Sequence, residues 1–137
     1  MNYLFKEEPG NYSYDDLVRD GSTSWTGVKN PVAQKHLRGV KKGDRIFFYH
    51  TGDEKQVVGI GEVARESFPD PSAAKGEPWV AVTTVADKPL PKPVTLAANK
   101  AEPKLKGMAV VKYGRLSVQP VTESEWKLVC KMGGLKT

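Results

Sequence analysis

The sequence predicts an α+β fold, most economically a small curled barrel or strongly bent sheet with short helices packed against it. Three observations carry this. Two capping boxes, each with a hydrophobic staple, mark helices near the two ends of the chain. The run Arg45-Ile46-Phe47-Phe48-Tyr49-His50 is apolar on both faces, so it reads as a central strand covered on both sides. The run Val57-Val58-Gly59-Ile60-Gly61-Glu62-Val63 carries two alternating glycines, which suit a sheet that bends sharply or a close neighbour against the backbone.

Residues 2–6 alternate as a short opening strand, with Tyr3 and Phe5 on one face and Leu4 and Lys6 on the other. Glu8-Pro9-Gly10 ends it. Ser13 and Asp16 then form a capping box, Tyr12 and Leu17 occupy the staple positions, and Gly21 suits the exit, which predicts a helix over 14–19. Residues 22–29 read as a loop. Asn30-Pro31 is an N-cap followed by proline at the first helical position, and that helix runs to Arg38 and stops at Gly39.

Lys41-Lys42-Gly43-Asp44 is a tight turn leading into the 45–50 strand. In that strand Ile46, Phe48 and His50 share one face, and Phe47 and Tyr49 the other. In the glycine-bearing strand, strict alternation puts Gly59 and Gly61 on the face of Val57 and Val63. Phe68-Pro69-Asp70-Pro71 breaks the pattern before a strand over Trp79–Val85. Residues 87–93, with prolines at 89, 91 and 93, read as an extended connector. Thr95 caps a short helix to about Lys100, bounded by Pro103. Val110-Val111 and Leu116-Ser117-Val118 read as the last strands. Thr122 with Glu125, and Val121 with Trp126, then start a closing helix that stops near Gly133-Gly134.

At 137 residues the chain is expected to form one domain, 1–137. No stretch approaches the 18 apolar residues of a membrane span, and the first residues do not resemble a secretory signal. A single cysteine, Cys130, rules out an internal disulfide and suits a reducing compartment, so the expected location is the cytoplasm. A net charge of +5 points weakly to anionic partners, nucleic acid first. Its lysines are scattered and not gathered in a tail.

Enzyme signatures are missing: there is no phosphate-binding G-x-x-x-x-G-K-[ST], no G-x-S-x-G and no H-E-x-x-H. His36, His50 and Cys130 show no metal-ligand spacing, and no cofactor is expected. Cys130 sits on the closing helix and is expected to pack there. His50 ends a buried strand, where it either caps its own strand or faces a ligand. Arg115-Leu116-Ser117 places a cation and a hydroxyl where they meet a phosphate or close a turn. The stretch Trp25-Thr26-Gly27-Val28-Lys29-Asn30 combines a flat aromatic ring, a glycine, a cation and an amide, a set suited to holding a planar base. Equally, Trp25 fills the core and Gly27-Val28 make a turn.

Taken together in order, these stretches resemble the EVE domain, a PUA-like fold. Leu4-Phe5-Lys6-Glu7-Glu8-Pro9 is similar to the family's opening F-K-S-E-P. Tyr12-Ser13 with Asp16-Leu17, Trp25–Asn30, Gly43-Asp44 through Thr51, Val57–Val63, Phe68–Pro71 and Arg115 through Trp126 continue the likeness over nearly the whole chain. The resemblance implies a PUA-like curled β-barrel of about five to seven strands. It also implies a non-enzymatic module that binds nucleic acid carrying a modified base, chiefly a modified cytosine in DNA, taken out of the stack.

The same resemblance implies one pocket in which Trp25, Val28, Asn30, Tyr49, His50 and Ser117 hold the base while Lys6, Lys29 and Arg115 meet the backbone. Glu7 stands where serine is usual, Thr26 where an acid is usual, Lys29 where arginine is usual, and Pro31-Val32 replace Tyr-Gln. Lysine lacks arginine's planar two-pronged donor. Other readings remain: an RNA-binding or RNA-processing PUA-like protein, a hydrolase using His50 with Lys6 or Glu8, a small planar-ligand binder or a protein-interaction module.

Overall fold

The structure, a computed structural model, describes residues 1–135; Lys136 and Thr137, the end of the expected domain, lie outside the described residues. Six strands form one sheet in the order β2-β5-β4-β3-β1-β6. They are β1 (Asn2–Glu7), β2 (Ser22–Trp25), β3 (Arg45–His50), β4 (Gln56–Pro69), β5 (Val80–Thr95) and β6 (Val118–Val121). The helices are α1 (Tyr14–Asp20), α2 (Pro31–Gly39), α3 (Leu96–Ala101), α4 (Ala109–Lys112) and α5 (Glu123–Met132), with a 3₁₀ turn at Pro103–Leu105. The architecture is the expected α+β fold, with a sheet that is curled but not closed.

The curl can be read from α2, which packs against β4, β5 and β6. A nine-residue helix is about 14 Å long. On a flat sheet β5 and β6, four places apart in the strand order, would be separated by about 19 Å. One short helix reaches both because the sheet wraps around it.

β1 and β3 run parallel, with Lys6 opposite Tyr49 and Glu7 opposite His50; every other pairing in the sheet is antiparallel. Alternation along these two strands feeds two cores. Tyr3, Phe5, Ile46 and Phe48 pack with Leu17 of α1, Leu37 of α2 and Trp25. Leu4, Phe47 and Tyr49 pack on the other face with Trp126 and Val129 of α5. Phe47 stacks on Trp126 at 3.9 Å between ring centroids.

The strand glycines both make room for a close neighbour, the second of the two expected purposes. A Cβ on Gly59 would stand 2.4 Å from the Tyr14 ring, and one on Gly61 2.8 Å from the Val85 carbonyl. Tyr14 can lie flat on β4 only because Gly59 has no side chain. The facing of Val57 differs from strict alternation. Val58 is an extra residue in the β3–β4 register, where Tyr49 pairs with Val57 and Phe48 with Gly59. This bulge turns Val57 into the α5-side core while Val63 stays with Trp25.

Both capping boxes, at Ser13/Asp16 and Thr122/Glu125, are present, as are the caps by Asn30 and Thr95. Four expectations need correction. Ser22–Trp25 is an edge strand on β5 and not a loop; its Ser-Thr-Ser sequence gives no apolar alternation, and only Trp25 is buried. Residues 87–93 continue β5, paired to β4 through Gly59–Pro89 and Val57–Val94. β2 covers only Val82–Val85 on the other side, so the prolines fall where no partner strand needs their missing N–H groups. Val110-Val111 is helical, in α4, and buries Val110. Leu116 and Ser117 precede β6, which begins at Val118.

Candidate nucleic-acid interface

Lys6, Glu7, Tyr49 and the Ser117 carbonyl meet at the carboxyl end of β1. Backbone alternation sends its last two side chains to opposite sides. Lys6 turns toward the 113–116 loop, where its ammonium donates to the Gly114 carbonyl at 3.0 Å and lies 5.4 Å from the Tyr49 ring centroid. Half-burial lowers its pKa. Glu7 turns the other way, into a cavity walled by Trp25.

That Trp25 cavity holds about 260 Å³. Trp25 is 6% exposed and forms its inner wall. The indole meets Phe5 edge-on at 5.1 Å and Phe48 at 5.4 Å, and its Nε1–H donates to the Thr84 hydroxyl at 2.9 Å. Trp25 therefore packs the core and lines a cavity with the same side chain, so the two sequence readings of it are compatible.

The turn after Trp25 is pinned at three points. Gly27, at φ +72°, donates its N–H to Asp70 at 2.7 Å. Burial pushes the Asp70 carboxyl up, but bonds from Ser72 and Gly27 outweigh it and hold the group below its ordinary range. The Val28 carbonyl accepts from the buried Gln34 amide, which also donates to the Val80 carbonyl and accepts from the Val80 N–H. Asn30 Oδ1 accepts from Val32 and Ala33 at 2.9 and 3.1 Å, so its oxygen is committed to capping α2 and its amide N–H₂ faces outward. Lys29 is exposed and lowers the pKa of Asp70 and Glu77 by proximity.

Asn30 and Arg115 line a second, larger and mostly apolar cleft of about 650 Å³ between α2 and the 113–116 loop, with Val32, His36 and Tyr113. Lys6 and Tyr49 line a third opening, of about 190 Å³, which meets the second at Gly114. Ser117 contributes its carbonyl to the Lys6 N–H at 2.8 Å. The structure thus brings Lys6, Tyr49, Asn30 and Arg115 to the two sides of one loop, and sets Trp25 on the far side of the β1 end.

His50 is placed differently. It is 7% exposed and lines none of these three openings. Its Nε2 accepts from the Tyr14 backbone N–H at 3.0 Å, so the proton sits on Nδ1, which donates to Glu54 at 2.8 Å. Both ring nitrogens are engaged within the protein. Val28 likewise packs against the Trp25-side core. Cys130 is buried, and burial raises its thiol pKa.

Sequence reasoning missed the supports. Gln34, Asp70 and Thr84 are buried polar side chains that position the Trp25 turn, and Glu54 orients His50. Only Asp70 had a signal, the rigid Pro-Asp-Pro setting of residues 69–71.

The EVE domain family model matches residues 1–132. This chain belongs to the EVE domain family. Among solved EVE-like structures, a Rhodopseudomonas palustris protein is 54% identical with a TM-score of 0.92, covering 97% of this chain and 92% of that one. An Agrobacterium tumefaciens protein is 44% identical with a TM-score of 0.95, over 98% and 93% of the two chains. Human thymocyte nuclear protein 1, in complex with 5-methylcytosine-containing DNA, is 27% identical with a TM-score of 0.90 over 99% of both chains. At full length the human protein is longer, and the match spans 96% of this EVE chain and 73% of that protein.

Proposed function

We propose that this chain is a non-enzymatic nucleic-acid-binding module that reads a modified base, a modified cytosine in DNA. The observation that carries the reading is the likeness to human thymocyte nuclear protein 1 in complex with 5-methylcytosine-containing DNA, at a TM-score of 0.90. The geometry supports it. A base enters the cavity against Trp25, while phosphates lie across Lys6 and Arg115 on the other side of the β1 end. Lys6 uses one acceptor, Gly114, which leaves two of an ammonium's three protons for an anion.

The energies suffice for modest affinity. Extracting a base costs a few kcal/mol, less when it is already unpaired. Contact with one aromatic wall returns roughly 1–3 kcal/mol, and phosphate contacts add a salt-dependent share. A non-catalytic role is supported by His50, whose two nitrogens are held by Tyr14 and Glu54 with no free position for proton transfer.

The test titrates the wild-type protein with single-stranded and duplex oligonucleotides that differ only in cytosine or 5-methylcytosine at one position. Tighter binding of the modified strand is expected. Equal and negligible binding of every strand sinks the reading.

A further inference from the structure

We propose that Glu7 is the specificity-determining residue of the Trp25 cavity, accepting a hydrogen bond from the exocyclic amine of a cytosine-type base and rejecting bases that carry a carbonyl there. This rests on the base-reading function proposed above and names the chemistry by which the cavity selects. Glu7 is the last residue of β1, opposite His50 in the parallel β3.

The cavity holds about 260 Å³, just under the roughly 300–1,000 Å³ of sites for drug-sized ligands, and so suits a single heterocycle. Glu7 is the only charged side chain in its lining; no cation lies there to neutralise the carboxylate or to attract phosphate. Much of the remaining polarity is already used. The Tyr12 hydroxyl bonds Asp20 at 2.9 Å, the Ser24 hydroxyl bonds Thr83 at 3.0 Å, and the Trp25 N–H bonds Thr84 at 2.9 Å. Glu7 Oε1 accepts the Glu8 N–H at 2.9 Å, and a carboxylate retains further acceptor positions beyond one such bond.

Asn11, Thr23 and Thr26 add neutral groups that can donate or accept, but the one charged group in the lining is an acceptor, and it favours a ligand edge that donates. Cytosine offers its N4 amine, and Glu is a natural acceptor for that group. Thymine and uracil place O4 at the same point, where its lone pairs face those of the carboxylate. Burial holds the Glu7 pKa above its ordinary value even though the Glu8 N–H and the Asn11 side chain bond the carboxylate and act to lower it, so an arriving amine adds a donor where desolvation still dominates. β1 alternation completes the arrangement: the acceptor at 7 faces the base cavity, and the cation at 6 faces the opposite side, where the sugar–phosphate chain runs.

5-Methylcytosine and thymine share the methyl group and differ at position 4, amine against carbonyl, and at N3, bare nitrogen against N–H. The change in their ratio between wild type and Glu7→Gln therefore reports on the proposed contact. Single-stranded oligonucleotides carrying 5-methylcytosine, thymine or cytosine at one site are titrated against wild type, Glu7→Gln and Lys6→Ala by fluorescence polarisation. Wild type is expected to prefer 5-methylcytosine over thymine by about tenfold or more. Glu7→Gln, whose amide donates as well as accepts, should bring that ratio close to one. Lys6→Ala should weaken all strands and leave the ratio unchanged. A thymine ratio preserved in Glu7→Gln overturns the role of Glu7, as does a wild type that binds both strands equally. The 5-methylcytosine-to-cytosine ratio reports separately on the base-reading function. If wild type binds no strand, that function and the Glu7 role fall together.

Discussion

The Tyr14 backbone N–H donates to His50 Nε2 at 3.0 Å, joining the first turn of α1 to the end of β3. The bond is buried, and it uses a helix N-terminal donor that has no partner within its own helix. Glu54 holds the other ring nitrogen and so selects the tautomer that can accept.

His50→Ala should therefore destabilise the fold by about 1–3 kcal/mol, the cost of leaving a buried donor unsatisfied. Urea unfolding measures the loss, and hydrogen exchange at the Tyr14 amide locates it. A midpoint within error of wild type, with an equally protected Tyr14 amide, would show that the bond does not secure α1.

The hydroxyl of Tyr14 donates to the Ile60 carbonyl at 2.7 Å, and burial with the nearby Asp87 charge pushes its pKa up to about 12. The unfolded value is about 10. The stabilisation linked to the neutral phenol is then complete below pH 10 and is lost as pH rises through 12. Thermal stability should fall across that window. Tyr3, Tyr12 and Tyr49 are also raised and act in the same direction, so Tyr14→Phe should flatten the fall without abolishing it. Melting curves between pH 9 and 12 for the two proteins check this.

Gly59→Ala places a Cβ 2.4 Å from the Tyr14 ring, so the ring or the strand must move. Overpacking of this kind costs about 1–3 kcal/mol. The cost should be much smaller in a Tyr14→Ala background, where the obstruction is gone. A double-mutant cycle by chemical unfolding measures the coupling. Strict additivity would contradict the close contact.

If phosphates cross Lys6 and Arg115, alanine at either position should weaken binding of every oligonucleotide alike and lower the log–log salt slope by about one. Lys29→Ala should change the slope less, because Asp70 and Glu77 already share its field. Affinities measured across a salt series decide between these outcomes.

Local chemistry was the legible part of the sequence. Capping pairs such as Ser13/Asp16 and Thr122/Glu125 involve residues three apart, and the two-faced 45–50 strand shows its burial in its own composition. The Ser22–Trp25 strand was hidden because an edge strand held by backbone bonds to β5 needs no apolar alternation. Val110-Val111 is too short a run for either periodicity to show, and tertiary burial of Val110 decided for helix.

The site divides in the same way. Trp25, Lys6, Asn30 and Arg115 were singled out by residue type and family likeness. Their distribution among three openings depends on tertiary placement: Lys6 leaves β1 on the side away from Trp25, which ends β2, while Asn30 and Arg115 line the cleft between α2 and the 113–116 loop. Gln34 and Thr84 were invisible because a buried polar residue reads, in sequence, like any surface one.

β1 lies between β3 and β6, so the opening strand is flanked on one side by residues 118–121. On the ribosome its second neighbour does not exist until nearly all of the described chain has been made. Leu4 and Phe5 meanwhile stay incompletely covered, each destined for a different core. Folding should then be a late, concerted event, slow relative to helical proteins of this size because its pairings join distant segments. Until that event, the nascent chain presents apolar β1 as an unpaired edge to whatever chaperone is nearest.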